Sequence, residues 1–195
     1  MARKSKRIPP VRTILVVTEG SSEKIYFNSL REKLKAPGLT IIPKEAKHSS
    51  LQYVLEKTIC ENASGAYESV WVVYDRDTQH TDSTKVKNLL KKAKKQGIKM
   101  ADSLPCFEVW LLAHFTLPKA TYHNQDAVID ELRIFHTTYV KNQGQQKRQD
   151  LFKEYQPHLP TAMKNASQLE KQAGNDIDKT KTLIPNLLHD INKEV

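Results

Sequence analysis

The sequence predicts an α/β fold in which a parallel four-stranded sheet carries helices on both faces and is followed by a C-terminal helical extension. Apolar, largely β-branched runs at 13–18 and 70–74 predict strands that are buried on both faces. Strand-like and helix-like segments alternate four times before Pro118. Because such alternation is typical of parallel strands joined by right-handed crossovers, it predicts one open sheet.

The chain divides into three predicted regions. Residues 1–10 are basic and broken by two prolines, so we expect a flexible basic arm. Residues 11–118 hold the predicted α/β domain, and residues 119–195 hold the helical region packed on it.

Each predicted strand is followed by a helix with its own start and stop signals. Ser21 or Ser22 can cap the first helix, Pro43 is expected to end the second strand, and Gly97 is expected to end the third helix, which begins near Asp82. The expected strands are 13–18, 39–42, 70–74 and 98–101, the fourth helix is 106–115, and the later helical patterns are 126–140, 146–156, 162–171 and 183–192.

The composition favours a polyanionic partner. Lys and Arg number 31 against 22 Asp and Glu, which gives a net charge of +9. Such a balance suits phosphate contacts, although the same lysines are also compatible with an ordinary solvated surface. Cys60 and Cys106 form no disulfide or metal pattern, and no apolar run reaches the roughly 20 residues of a membrane helix. We therefore expect a cytoplasmic protein with no membrane partner.

Acidic residues follow the predicted strands where parallel strands present their carboxyl ends. Glu19 follows the first strand, Asp75 and Asp77 end the third, and Glu108 lies in the first turn of the helix after the fourth. Helix capping or simple solvation explains each acid taken alone. Together they predict a site for Mg²⁺ or Mn²⁺ at one sheet edge, because hard divalent ions prefer oxygen ligands.

The helix after Asp77 carries a lysine face that is a candidate nucleic-acid-binding surface. Lysines that neutralise phosphates supply affinity independent of base sequence. A solvated face without a partner is the alternative. The lysines of this face are Lys85, Lys87, Lys91, Lys92, Lys94 and Lys95.

Two other kinds of site are not indicated. No pair among the seven histidines has the helical spacing of a zinc motif joined to a carboxylate. The sequence at 19–22, Glu-Gly-Ser-Ser, lacks the lysine and spacing of a phosphate-binding P-loop.

Three blocks of the sequence resemble the RloB-like proteins. They are Val-Val-Thr-Glu-Gly at 16–20 with Glu23, Tyr26 and Phe27, then Val-Trp-Val-Val-Tyr-Asp-Arg-Asp at 70–77, and Ser-Leu-Pro-Cys-Phe-Glu-Val-Trp-Leu-Leu-Ala-His-Phe at 103–115. The resemblance covers about residues 11–118, with a weaker likeness in the helical tail, and implies a TOPRIM-type fold. It also implies that Glu19 is a general acid/base or metal ligand, that Asp75 and Asp77 hold magnesium, and that Glu108 is a further catalytic acid and ligand.

The resemblance further implies a function. RloB-like proteins occur in bacterial restriction and abortive-infection phage-defence loci, commonly beside a gene for an AAA/ABC-type ATPase. We therefore expect a metal-dependent nuclease that hydrolyses DNA or RNA, tRNA included, as the effector of such a system with an ATPase partner.

Two other functions remain open. A non-catalytic nucleic-acid-binding or adaptor subunit of the ATPase complex would use the lysine face without cleaving. A haloacid-dehalogenase-like phosphatase would use Asp75 as nucleophile, but that motif should end the first strand, where Glu19 stands.

Overall fold

The computed structural model describes residues 12–34, 39–45, 50–76, 83–141 and 150–192, and these ranges form an α/β structure around one open sheet. The sheet order is β2-β1-β3-β4-β5, with the first four strands parallel and β5 antiparallel to β4. The predicted four-stranded parallel sheet is therefore confirmed, and the short β5 is an addition from the C-terminal region. The strands are β1 Arg12–Thr18, β2 Leu39–Glu45, β3 Ser69–Asp75, β4 Lys99–Leu104 and β5 Lys181–Thr182.

Helices cover both faces of the sheet, as the alternation of strands and helices predicts. The helices are α1 Ser21–Leu34, α2 Leu51–Asn62, α3 Thr84–Lys95, α4 Glu108–Ala113, α5 Gln125–Phe135, α6 Leu151–Tyr155, α7 Leu159–Ala173 and α8 Ile184–Asn192. A 3₁₀ turn at Gln156–His158 joins α6 to α7.

Alternate residues of the strands enter two separate cores. Leu15, Val17 and Val72 pack with α2 and α3 on one face. Ile14 and Val16 face the other way, into a larger core that contains α1 and residues of α4 to α8. Because both faces of the sheet are buried, residues that point to either face of β1 and β3 are apolar along the middle of each strand.

The element boundaries differ from the sequence prediction most clearly at three places. Pro43 does not end β2 but lies inside it, which the sheet tolerates because β2 is an edge strand and proline is found on edge strands. The fourth strand, expected over 98–101, runs on to Leu104, so Asp102 and Ser103 also lie in β4. Helix α5 ends at Phe135, and Tyr139 therefore lies in the turn that follows it.

Some predicted features lie outside the described residues. These are the basic arm at 1–10, the acid Asp77 and the expected helix start near Asp82.

The C-terminal region is tied to the sheet by a buried carboxylate. Asp190 of α8 accepts hydrogen bonds at Oδ2 from Ser69 Oγ at 2.9 Å, Trp71 Nε1 at 2.8 Å and Lys99 Nζ at 2.7 Å. Ser69 begins β3 and Lys99 begins β4, so Asp190 fixes α8 at the amino edge of the sheet, opposite the predicted metal site.

In the described ranges, no helix is both long enough and apolar enough to span a membrane.

Candidate functional site

Three of the predicted acids meet at the carboxyl edge of the sheet. Glu19 directly follows β1, Asp75 is the last residue of β3, and Glu108 is the first residue of α4. The Asp75 backbone N–H donates to Glu19 Oε2 at 3.2 Å, and the Phe107 N–H donates to Asp75 Oδ1 at 2.8 Å. The strand ends and the start of α4 are therefore connected through the carboxylates themselves.

Glu23 is a fourth acid of this cluster, and our sequence reasoning did not assign it a role. It lies in the first turn of α1 with 4% of its surface exposed. Burial, followed by repulsion from Glu108 and Glu19, raises the pKa of Glu23 to about 8. The available signals were its place in the first block of the family resemblance and its position four residues after Glu19 at a helix start. A favourable helix-dipole interaction explains that position equally well.

Tyr139 and Lys141 contact the acid cluster from the turn after α5. The Tyr139 hydroxyl donates to Glu108 Oε1 at 2.7 Å. The Lys141 ammonium donates to Glu108 Oε2 at 3.1 Å and to Gln125 Oε1 at 2.9 Å, and it lies 4.0 Å from Asp75 Oδ2. Because these residues follow the acids by more than 30 positions and belong to no motif, the sequence offered no signal for either.

The electrostatics of the cluster are those of crowded, buried acids. Burial and then repulsion from Glu23 and Glu108 raise the pKa of Asp75 well above its usual value. Burial alone would lower the pKa of Lys141, but attraction to Glu108 and Asp75 outweighs it and raises that pKa. Burial and the neighbouring Glu108 likewise raise the pKa of the Tyr139 phenol. Lys141 is therefore a cation in this cluster.

The donor chemistry of the cluster fits a hard divalent cation. Its ligand atoms are carboxylate oxygens. Burial and, after it, mutual repulsion raise the pKa values of Glu23 and Asp75, and a bound cation would relieve the repulsion. As the side chains stand in the described ranges, no three His, Cys, Asp or Glu groups are arranged to hold a metal ion. Both oxygens of Glu108 are already occupied by Tyr139 and Lys141.

The predicted lysine face lies on α3, and all six of its lysines are exposed. Helix α3 follows the carboxyl end of β3 and precedes the amino end of β4, so it runs from the acid edge of the sheet to the opposite edge. Lys85, in its first turn, forms an ion pair with Glu56 of α2 at 3.2 Å. The face therefore begins on the side of the acids and extends away from them.

Comparison with known proteins gives one positive finding. The family model described as RloB-like protein matches residues 14–191. Nothing matches among the curated proteins, and no solved structure matches. Since the match spans nearly all of the chain, including the C-terminal helices, the protein belongs to the RloB-like protein family.

Proposed function

We propose that the protein is a metal-dependent nuclease that uses Mg²⁺ or Mn²⁺ to hydrolyse phosphodiester bonds of DNA or RNA, tRNA included. The observation that carries the proposal is the convergence at the carboxyl edge of the sheet of four acids, Glu19 after β1, Glu23 of α1, Asp75 of β3 and Glu108 of α4. That edge is where open α/β sheets bind ligands. Carboxylates that are crowded together repel one another, so they are better suited to binding a cation than to stabilising the fold.

The residues of the cluster have distinct roles in this proposal. Glu19, Glu23, Asp75 and Glu108 would hold the metal, with Asp77 completing the Asp-x-Asp pair that the resemblance implies. A bound divalent ion supplies charge neutralisation and Lewis-acid polarisation of the phosphodiester.

The other contacts of the cluster fix its acids in place. Tyr139 orients the Glu108 carboxylate through Oε1, and the Phe107 N–H orients Asp75 through Oδ1. Glu108 is fully buried, so bulk water does not screen its charge.

The substrate class follows from charge. With a net charge of +9 and six exposed lysines on α3, the protein is suited to a polyanion. In this proposal α3 contacts the phosphate backbone and Lys85 and Lys87 lie at its end nearer the acids. Lysine contacts of this kind do not read base sequence.

We also propose a cellular setting, which rests on the resemblance. The protein would act in the cytoplasm as the effector of a bacterial phage-defence system, with an AAA/ABC-type ATPase encoded beside it as partner. Among its described residues, region 119–195 has two large aliphatic side chains that are exposed, Ile134 at 72% and Ile177 at 70%, and these are candidate contacts. Co-purification with the ATPase should be lost on Ile134→Asp or Ile177→Asp, and co-purification that survives both changes would contradict docking through these residues.

One observation favours an alternative, a non-catalytic adaptor subunit. The Glu108 carboxylate is fully buried and both of its oxygens accept hydrogen bonds, as expected of a group that only maintains structure. Divalent metal distinguishes the two functions because a ligand that binds the native state raises its thermal stability. An unchanged melting temperature in millimolar Mg²⁺ and Mn²⁺ would favour the adaptor.

The nuclease itself is tested by incubating the purified protein, with and without the ATPase, with plasmid DNA and with total tRNA in Mg²⁺, Mn²⁺ or EDTA. Glu19→Gln and Asp75→Asn should lower the cleavage rate at least about 100-fold. Asn is preferred at 75 because its oxygen can still accept the Phe107 N–H. Asp126→Asn, which changes an exposed acid of α5, is the matched control.

The same variants test whether the acids are structural. Because repulsion between the carboxylates destabilises the metal-free fold, neither substitution should lower the melting temperature without metal. Cleavage that persists in EDTA or in Asp75→Asn would contradict the nuclease assignment, and loss of several degrees in both variants would make the acids structural.

A further inference from the structure

The Lys141 ammonium lies where a cation in the acid cluster would be needed. Its Nζ is 3.1 Å from Glu108 Oε2 and 4.0 Å from Asp75 Oδ2, and 2.9 Å from Gln125 Oε1. The Glu108 side chain is fully buried, whereas 35% of the Lys141 side chain is exposed. The ammonium therefore reaches the buried carboxylate from the solvent side.

We infer that Lys141 is an internal counter-ion of the metal-free cluster and that its ammonium must leave the cluster when a divalent cation binds. The inference rests on the proposed function, since it concerns how the same acids accept their metal. It makes Lys141 a regulator of metal occupancy. The acids would be neutralised either by the lysine or by the metal, but not by both in the present arrangement.

The positions of the charges favour this exclusion. Mg²⁺ would be held by the carboxylate oxygens that the Lys141 ammonium contacts in the metal-free cluster. The ammonium now hydrogen-bonds Glu108 Oε2, and it also faces Asp75 Oδ2. Two cations sharing these oxygens would lie within about 4 Å of each other in a poorly screened site, where their repulsion is strong.

The structure also offers the Lys141 ammonium a position outside the acid cluster. Gln125 is an exposed residue at the start of α5, and its Oε1 already accepts one hydrogen bond from Lys141. A lysine has a flexible four-carbon stem that keeps its charged head at the solvent boundary. Rotation of that stem would free Glu108 Oε2 and Asp75 Oδ2 without moving the backbone.

The test follows the chemical reactivity of Lys141 in the wild-type protein. The protein is acetylated briefly with acetic anhydride at increasing Mg²⁺ or Mn²⁺, and each lysine is quantified by peptide mass spectrometry. Saturation is established separately by calorimetry. Modification of Lys141 should increase at least about tenfold at saturation, because the amine no longer forms its ion pairs. Lys92, which is exposed on α3, should change less than about twofold.

A variant gives an independent measurement. Lys141→Met removes the competing ammonium and keeps the length of the side chain, so its affinity for Mg²⁺ should rise at least about tenfold. Lys153→Met, at an exposed position of α6, is the matched control and should bind Mg²⁺ as the wild type does. Circular dichroism at saturating metal confirms that the variant is folded, and the acetylation measurement needs no variant.

The outcomes separate this inference from the nuclease proposal. If the wild type binds metal while Lys141 stays unreactive and Lys141→Met binds no more tightly, the inference is wrong and the nuclease proposal stands. If Lys141→Met binds metal much more tightly than the wild type, the inference is supported even where the wild type cleaves nothing. If neither protein binds Mg²⁺ or Mn²⁺, the inference and the metal-dependent nuclease both fail.

Discussion

Gly20 directly follows Glu19 and leaves room for the carboxylate of Glu23. A Cβ atom at this position would lie 2.7 Å from Glu23 Oε2, which is closer than real contacts allow. The backbone of Gly20 does not require a left-handed conformation. Glycine is therefore needed here for space beside the acid, and not for its conformational freedom.

The first prediction concerns this contact. Gly20→Ala should weaken Mg²⁺ binding severalfold while changing the free energy of unfolding by less than about 1 kcal/mol, because the atom displaced is the end of a flexible side chain. Calorimetry and urea denaturation measure the two effects. In a Glu23→Ala background, Gly20→Ala should have no further effect on Mg²⁺ affinity, and simple additivity of the two changes would show that Gly20 does not act through Glu23.

His114 is a buried ionisable residue outside the acid cluster. It lies directly after α4 with 1% of its surface exposed, and its Nδ1–H donates to the Trp110 carbonyl at 2.9 Å. Rings of Trp110, Tyr26 and Tyr155 pack around it. Burial, partly offset by backbone hydrogen bonds, lowers the pKa of His114 to about 4.

The second prediction follows from this shift. Between pH 6.5 and about 4 the unfolded chain binds a proton at His114 that the folded protein does not, so the contribution of His114 to stability is full above pH 6.5 and is lost on acidification. The resulting change in the free energy of unfolding between high and low pH is about 3 kcal/mol. Urea denaturation across this range should show a shallower pH dependence for His114→Phe than for the wild type, with exposed His123→Phe as control. Parallel curves for wild type and His114→Phe would contradict the assignment.

At the scale of elements, α3 has two unlike faces. Val86 and Ala93 are buried against α2 and the sheet, while the lysines point to solvent. Glu56 of α2 pairs with Lys85, so part of the positive charge of the helix is compensated within the protein. The last two turns carry Lys91, Lys92, Lys94 and Lys95, all exposed, at the end of the face farther from the acids.

The third prediction tests that part of α3. Lys91→Glu, Lys92→Glu and Lys95→Glu together should weaken nucleic-acid binding for every sequence alike and flatten the slope of log affinity against log salt by about two to three units. Affinity for Mg²⁺ should stay almost unchanged. The control replaces exposed lysines of α6 and α7, Lys153, Lys164 and Lys171, by Glu, which alters net charge equally. If both triple variants weaken binding to the same degree, only the overall charge matters.

At the scale of the whole molecule, the C-terminal region is part of the main core. Leu132, Tyr155, Leu169 and Leu187 pack with β1, β3 and α1 in a single cluster, and β5 extends the sheet beside β4. The same region supplies Tyr139 and Lys141 to the acid cluster and Asp190 to Trp71. Residues 119–195 therefore complete both the fold and the site.

The fourth prediction is that a polypeptide of residues 11–118 alone does not fold cooperatively. Removing 119–195 would expose the buried faces of α1 and α4 and leave the Trp71 Nε1 donor without Asp190. Circular dichroism and urea denaturation of the two lengths measure this directly. A sigmoidal unfolding transition for residues 11–118 would show that the α/β part is independent, and ATPase docking could then be tested by deletion.

The sequence by itself determined the elements whose signals are local. Continuous apolar runs before Glu19 and Asp75 identified β1 and β3, since a strand covered on both faces has no polar positions. Alternation of strands and helices gave the parallel sheet, and parallel strands necessarily bring their carboxyl ends to one edge. Three acids of the cluster could therefore be named before any coordinates were known.

Only the tertiary structure decided which distant groups join those acids. Tyr139 falls inside the helical pattern predicted over 126–140 and Lys141 lies just beyond it, but both belong to the turn after α5. They reach Glu108 only because α5 packs against α4. The structure shows that Glu23 is buried beside other acids, which its sequence position does not reveal. The sheet accommodates Pro43 because β2 is an edge strand. Strand positions and helix faces follow from neighbours in sequence, whereas charge compensation in a buried site depends on which elements pack together.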